Sequence, residues 1–209
     1  MFAKKLFKNR KGIVGVEAAI VLIAFLIIAA ALSYVVINMG FYTTQKTKET
    51  MQGGLDESLT ALQLDGIVTA KTDSSGYIEY VAIPVKLSAG RAAIDLGENA
   101  VVVSVYLKNS TLMNVYQGAA PANETTWDDL LSALGLTSEG AKFAIYNGNN
   151  NTVLESTEKA FLIICLGEEH RISDYETAKI EVRGAKGAAL TVVRTAPGGM
   201  LPNSFVDLG

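Results

Sequence analysis

Glu17 is the only charged residue between Ile13 and Gln45, and it stands four positions after Ile13. Inside a bilayer such a carboxylate costs roughly 2 to 3 kcal/mol or more unless a partner neutralises it, so it carries a functional expectation. Cleavage of the Gly12-Ile13 bond would supply that partner. It creates an α-amino group on Ile13, one helical turn from Glu17 and on nearly the same face. Between staggered copies of one helix, the carboxylate of one chain can then pair with the amine of its neighbour. Gly12 has no Cβ and lets a protease approach the backbone closely. Gly12, Ile13 and Gly15 are the candidate processing residues, and Glu17 with Ile13 the candidate pair that sets register between subunits.

The residue types that usually carry catalysis are too few and too scattered. His170 is the one histidine; it follows Glu168 and Glu169 and has no second imidazole or cysteine at metal-ligand spacing, so it reads as part of a solvated polar turn. Cys165, the one cysteine, ends the apolar run Phe161 to Leu166 but for its last residue and reads as a core thiol in a buried strand. No intrachain disulfide is available to it. Gly184-Ala185-Lys186-Gly187 joins two expected strands instead of opening a helix, which excludes a phosphate loop. The pairs Asp128 and Asp129, Asp95 and Glu98, and Asp174 and Glu176 offer oxygen ligands to a hard cation, but no ligand set is legible. No enzyme activity and no cofactor are expected, with a structural divalent cation as the single candidate. Three sequons, at Asn109, Asn123 and Asn150, fall near loops or strand ends and are candidate glycosylation sites in an exported chain. Asn150 lies in Asn147-Gly148-Asn149-Asn150-Asn151, which reads as an exposed hairpin loop.

The elements that must position these residues begin with the N-terminus. Residues 1–12 hold Lys4, Lys5, Lys8, Arg10 and Lys11 and no acid, while Ala18 to Ile37 carries no charge. Those 20 or so residues span about 30 Å as a helix, the thickness of a bilayer core. The positive-inside rule keeps the basic end cytoplasmic and places the chain after Tyr42 outside. A secretory signal would have a shorter apolar region than this one. A permanent anchor explains length and orientation but not Glu17; a leader removed at Gly12 explains all three. Without those five basic residues, 13 of the 18 remain against 21 acidic ones, and an acidic exterior speaks against nucleic acid as a partner.

From Ile13 to Tyr42 the pattern is apolar on every side, as suits a helix surrounded by lipid and later by other helices. Val16, Ile20, Ile23, Phe25, Ile27, Ile28, Leu32, Val35 and Val36 are the candidate core side chains of such an assembly. Met51, Leu55, Leu59 and Leu62 then recur at spacings of four, four and three, which extends the expected helix over 13–63. Gly53-Gly54 either bends it or is tolerated within it. After Asp65-Gly66 strands are expected: Ile67 to Lys71 and Tyr77 to Leu87 about the turn Asp73 to Gly76, then Ala100 to Leu107, Lys142 to Tyr146, Phe161 to Leu166, Ala178 to Arg183 and Ala188 to Arg194. One short helix, Trp127 to Leu134, is expected behind a Thr125 or Thr126 cap, with Asp128 and Asp129 in its first turn. The fold class is therefore α+β: a long N-terminal hydrophobic α-helix followed by a C-terminal immunoglobulin-like β-sandwich over 64–209.

The leader and the run Ile13-Val14-Gly15-Val16-Glu17-Ala18-Ala19-Ile20 resemble type IV pilin-like proteins with a class III signal peptide. Ile37-Asn38-Met39-Gly40-Phe41 and Thr44 to Thr50 are similar to archaeal flagellins, or archaellins, and so are Leu64-Asp65-Gly66 at the helix exit and Ala93-Ile94-Asp95-Leu96, Gly187-Ala188-Ala189-Leu190, Arg194-Thr195-Ala196-Pro197 and Val206-Asp207-Leu208-Gly209 in the outer domain. The resemblance implies a subunit that polymerises with itself into the open helical filament of the archaeal flagellum, for swimming, with adhesion to surfaces as a second role. It implies a precursor in the cytoplasmic membrane with its N-terminus inside, an aspartic prepilin peptidase cutting after Gly12, an assembly ATPase and a membrane platform with a rotary motor. An adhesion pilin on the same core, and a single-span anchored β-sandwich binding protein that keeps its leader, are the alternatives.

Overall fold

The computed structural model describes residues 11–58, 61–90, 93–146 and 148–209, with side chains from Gly15 onward. Residues 1–10 of the basic leader lie outside the described residues, as do Leu59 of the apolar repeat and Asn147 of the asparagine-rich loop. Two compact units meet between Gly54 and Leu55.

Helix α1, Lys11–Ser58, makes up the described part of the first unit, with its last turn counted in the second; its 48 residues give it a length of about 72 Å. The hydrogen-bonded ladder runs through Gly53 and Gly54 without a break. Ser33, Thr43, Thr44, Thr47 and Thr50 each donate their hydroxyl to the carbonyl four residues back, which satisfies these polar groups inside their own helix. At both ends the helix departs from the expected 13–63. It already includes Lys11 and Gly12, so the Gly12-Ile13 bond is helical here. It is described as far as Ser58 and does not reach residue 63, because Leu62 is drawn into a sheet opposite Leu87 and buried there.

The second unit is the β-rich domain. Its strands are β1 (Leu62–Leu64), β2 (Thr69–Thr72), β3 (Ile78–Leu87), β4 (Ile94–Asp95), β5 (Val101–Tyr106), β6 (Thr111–Leu112), β7 (Tyr116–Pro121), β8 (Gly140–Tyr146), β9 (Val153–Leu154), β10 (Lys159–Cys165), β11 (Thr177–Gly184), β12 (Leu190–Thr195) and β13 (Phe205–Asp207). Seven form one sheet in the order β13-β2-β3-β10-β8-β7, with β1 also pairing with β3; β12-β11-β5-β6 form a second; β4 pairs with β9. The pairings are antiparallel except β7 with β8, which run parallel at the edge of the large sheet.

Alternation along the strands decides what each sheet buries. Val81, Ile83 and Val85 of β3, Phe143 and Ile145 of β8, and Leu162 and Ile164 of β10 meet Val103 and Val105 of β5 and Ile180 and Val182 of β11 in one closed core. The two sheets therefore make the expected sandwich. Helix α2, Trp127–Leu134, lies on the other face of the large sheet, where Leu130 and Leu134 cover Ala144 and Ile163. Thr126 occupies its N-cap, but the hydroxyl goes to the Asp129 carboxylate at 2.5 Å and not to a backbone N–H. Gly135 ends the helix in the left-handed region at φ +61°, where a Cβ would be strained. Covered on both faces, β10 explains its unbroken apolar sequence.

Candidate assembly surface

The first unit offers a surface of one kind. From Val16 to Tyr42 the large apolar side chains are between 52% and 73% exposed, on every side of the helix. That includes Val16, Ile20, Ile23, Phe25, Ile27, Ile28, Leu32, Val35 and Val36, so none of the expected assembly residues is buried within the subunit. Water does not tolerate apolar area of this extent on a stable monomer. An 18-residue window of the helix reaches a mean hydropathy of 3.0, enough by length and composition to cross a membrane. Glu17 is exposed and has no partner among the described residues. Beside it Ala18, Val21, Leu22 and Phe25 frame a shallow groove with Ala18 between larger neighbours, a hole of the kind that a side chain of another helix fills.

Several carboxylates considered as cation ligands are engaged in ion pairs or in holding turns. Asp128 pairs with Lys71 at 2.9 Å. Asp95 accepts the Gly97 N–H at 2.8 Å, Asp174 the Gly199 N–H at 2.7 Å, and Glu176 both the N–H and the hydroxyl of Ser173. Among the described residues no three His, Cys, Asp or Glu side chains converge on one point. His170 has a partner that sequence spacing could not reveal: its Nδ1 lies 2.6 Å from Glu139 of a distant loop. Cys165 is buried opposite Tyr80 in the sheet, and burial pushes its thiol above the ordinary range, away from reactivity.

Two ionic groups escaped sequence reading because their members lie far apart in the chain. Asp65 binds Lys86 at 2.6 Å and Lys159 at 2.8 Å. The hydrogen bond from Lys159, then that from Lys86, holds its carboxyl below the usual carboxylate range. Its N–H also donates to Pro84 at 2.9 Å, so Leu64-Asp65-Gly66 is fastened to β3 as the chain enters the sheet. Arg171 bridges buried Asp73 at 2.8 Å and Glu79 at 3.1 Å, locking the turn between β2 and β3. All three sequon asparagines are exposed: Asn109 in the turn between β5 and β6, Asn123 ahead of α2, and Asn150 at φ +68° in the loop before β9.

The family model described as archaeal-type flagellin matches residues 12–194. A probable flagellin of Aeropyrum pernix is 42% identical over 205 residues, 97% of this chain and 100% of that one. In fold the chain is similar to the archaeal flagellum of Methanospirillum hungatei, with a TM-score of 0.57 and 24% identity over 92% of this chain and 99% of the other. It is likewise similar to the crystal structure of archaeal flagellin FlaB1 from Methanocaldococcus jannaschii, with a TM-score of 0.58 and 18% identity over 70% and 95%.

Proposed function

This chain belongs to the archaeal-type flagellin family, and from that premise we propose how its residues enter the filament. It is a structural subunit of the archaeal flagellum, polymerising with copies of itself into the extracellular filament of swimming motility. It carries no catalysis of its own. The precursor sits in the cytoplasmic membrane through Ala18 to Ile37, with residues 1–12 on the cytoplasmic side. A prepilin peptidase cuts after Gly12. Because that bond is helical in the subunit, the first turn of α1 must unwind for the protease, and Gly12 lowers the cost of the extended conformation.

After cleavage, helices Ile13 to Tyr42 of many subunits exchange lipid for one another. The observation that carries this reading is the helix exposed all round beside a sandwich whose core is already closed. Against water, burying each large apolar side chain gains about 1.5 to 3 kcal/mol. Against lipid the gain is far smaller, so leaving the bilayer requires work from an assembly ATPase at a membrane platform. The contact is heterologous and does not close, which yields an open helical polymer. Glu17 neutralises the Ile13 amine of a neighbouring subunit and sets axial register. Outside, Asn109, Asn123 and Asn150 are the positions that carry N-linked glycan.

N-terminal sequencing of purified filaments tests the reading, with Ile13 as the expected first residue, alongside a swimming assay of the deletion strain. A filament protein that retains residues 1–12, or undiminished swimming when no other flagellin is expressed, would refute it.

A further inference from the structure

On the outer face of the large sheet, beside α2, lies a recess of about 230 Å³. Trp127, Tyr146 and Phe161 wall it, and Glu124, Thr125 and Thr126 form its polar side. The aromatic walls are braced by their neighbours. Tyr146 and Phe161 stand edge to face with ring centroids 5.6 Å apart. Trp127 is held in the same manner between Tyr80 at 6.2 Å and Phe205 at 5.7 Å. The Tyr146 hydroxyl donates to the Glu124 carbonyl at 3.2 Å, joining wall to rim. The recess is thus formed before anything enters it, which keeps the ordering cost of an occupant low.

Aromatic faces beside hydroxyl and carboxylate groups match the two sides of a sugar ring: C–H bonds that pack on a π-system, and hydroxyls that need donors and acceptors. A purely apolar side chain would use the walls and nothing of the rim. One sequon begins on that rim. Asn123 is exposed, and the next two residues of Asn123-Glu124-Thr125 line the recess. Glu124 also accepts the Asn123 N–H at 2.9 Å, which fixes the asparagine relative to the opening.

We propose that this recess seats a sugar ring, and that the ring belongs to the glycan carried by Asn123 of the same subunit. The glycan folds back over Trp127 and covers the apolar seam between α2 and the sheet. This rests on the reading that the sequons are used.

Trp127 is the only tryptophan in the chain, so its emission reports on the recess alone. Filaments of the parent protein and of Asn123→Gln and Asn109→Gln would be compared by site-resolved glycan mass and by acrylamide quenching. The expected result is a glycan on Asn123, with a red shift and stronger quenching in Asn123→Gln only. An unmodified Asn123 would overturn both the use of that sequon and the proposal. A glycosylated Asn123 with equal quenching in all three filaments would overturn the proposal alone, and would place a neighbouring subunit or nothing over Trp127. Shielding that requires added free hexose, in parent and variant alike, would assign the recess to a soluble sugar and overturn the attachment to Asn123.

Discussion

Glu17 and Asp65 are two carboxylates in opposite surroundings. Asp65 finds Lys86 and Lys159 within its own domain, whereas Glu17 has no partner among the described residues and sits on an apolar helix. The second situation calls for a partner from another chain. Removing one member of a buried pair costs about 3 to 5 kcal/mol, because the remaining charge is stranded. Glu17→Val is therefore expected to permit insertion and cleavage yet depress filament formation, with partial rescue on mixing with parent subunits; normal filament length and yield from fully cleaved variant would sink the pairing. Asp65 makes a prediction about acid. Its carboxyl titrates below the ordinary value of 3.8, so the folded domain binds this proton less readily than the unfolded chain does. The resulting stabilisation is complete above the unfolded value and is lost as pH falls through the lower folded one. In urea titrations of the detergent-solubilised subunit, followed by Trp127 emission, Asp65→Asn should shrink the stability difference between neutral and strongly acidic pH. An unchanged difference would mean that the two lysines do not depress this group in solution.

At the scale of elements, the two units bury their apolar residues in opposite ways. Ile163 is fully enclosed between α2 and the sheet, so Ile163→Ala should cost the subunit about 2 to 5 kcal/mol. Ile27, 64% exposed, should be replaceable by alanine with no shift in the subunit's urea midpoint, and with loss only in filament stability against heat. Equal midpoint shifts for the two variants would contradict this division. The same contrast explains how far the sequence could be read. Strands β3, β5, β8, β10, β11 and β12 announced themselves within a few residues of their ends, because burial on one or both faces imposes alternation or an apolar run. Strands β1, β4, β6, β9 and β13 have two or three residues each, too few for any period, and form because a longer partner offers hydrogen bonds. β7 escaped notice for another reason: Gly118 at φ +107° and Pro121 read as breakers, and only its edge position tolerates them. Leu62 fits a helical repeat and a strand equally well; its partner Leu87 decides. The helix and its exposed surface were legible from hydropathy, whereas the His170–Glu139 and Asp65–Lys159 contacts needed the fold.

For the whole molecule, the consequence is a chain built for two solvents. Among the described residues, every buried apolar side chain of the sandwich core and of the layer under α2 comes from residues 61–196, and the boundary between compact units falls at Gly54 and Leu55. No described residue of α1 is among those buried apolar residues. Helix α1 is the reverse, with no described side chain buried and an apolar surface along more than half its length. Such a helix is stable in lipid, where its backbone bonds are internal, or among copies of itself, and unstable as a free surface in water. A fragment of residues 61–209 is accordingly expected to be a soluble monomer that unfolds in one cooperative urea transition, with Trp127 emission and far-ultraviolet circular dichroism giving coincident curves. The full chain, by contrast, should stay dispersed only in detergent, in membranes or in filaments. Light scattering of both proteins after detergent removal reads the difference directly. Aggregation of the fragment, or a full chain that remains monomeric in plain buffer, would show that the division of apolar surface between the two units does not govern assembly.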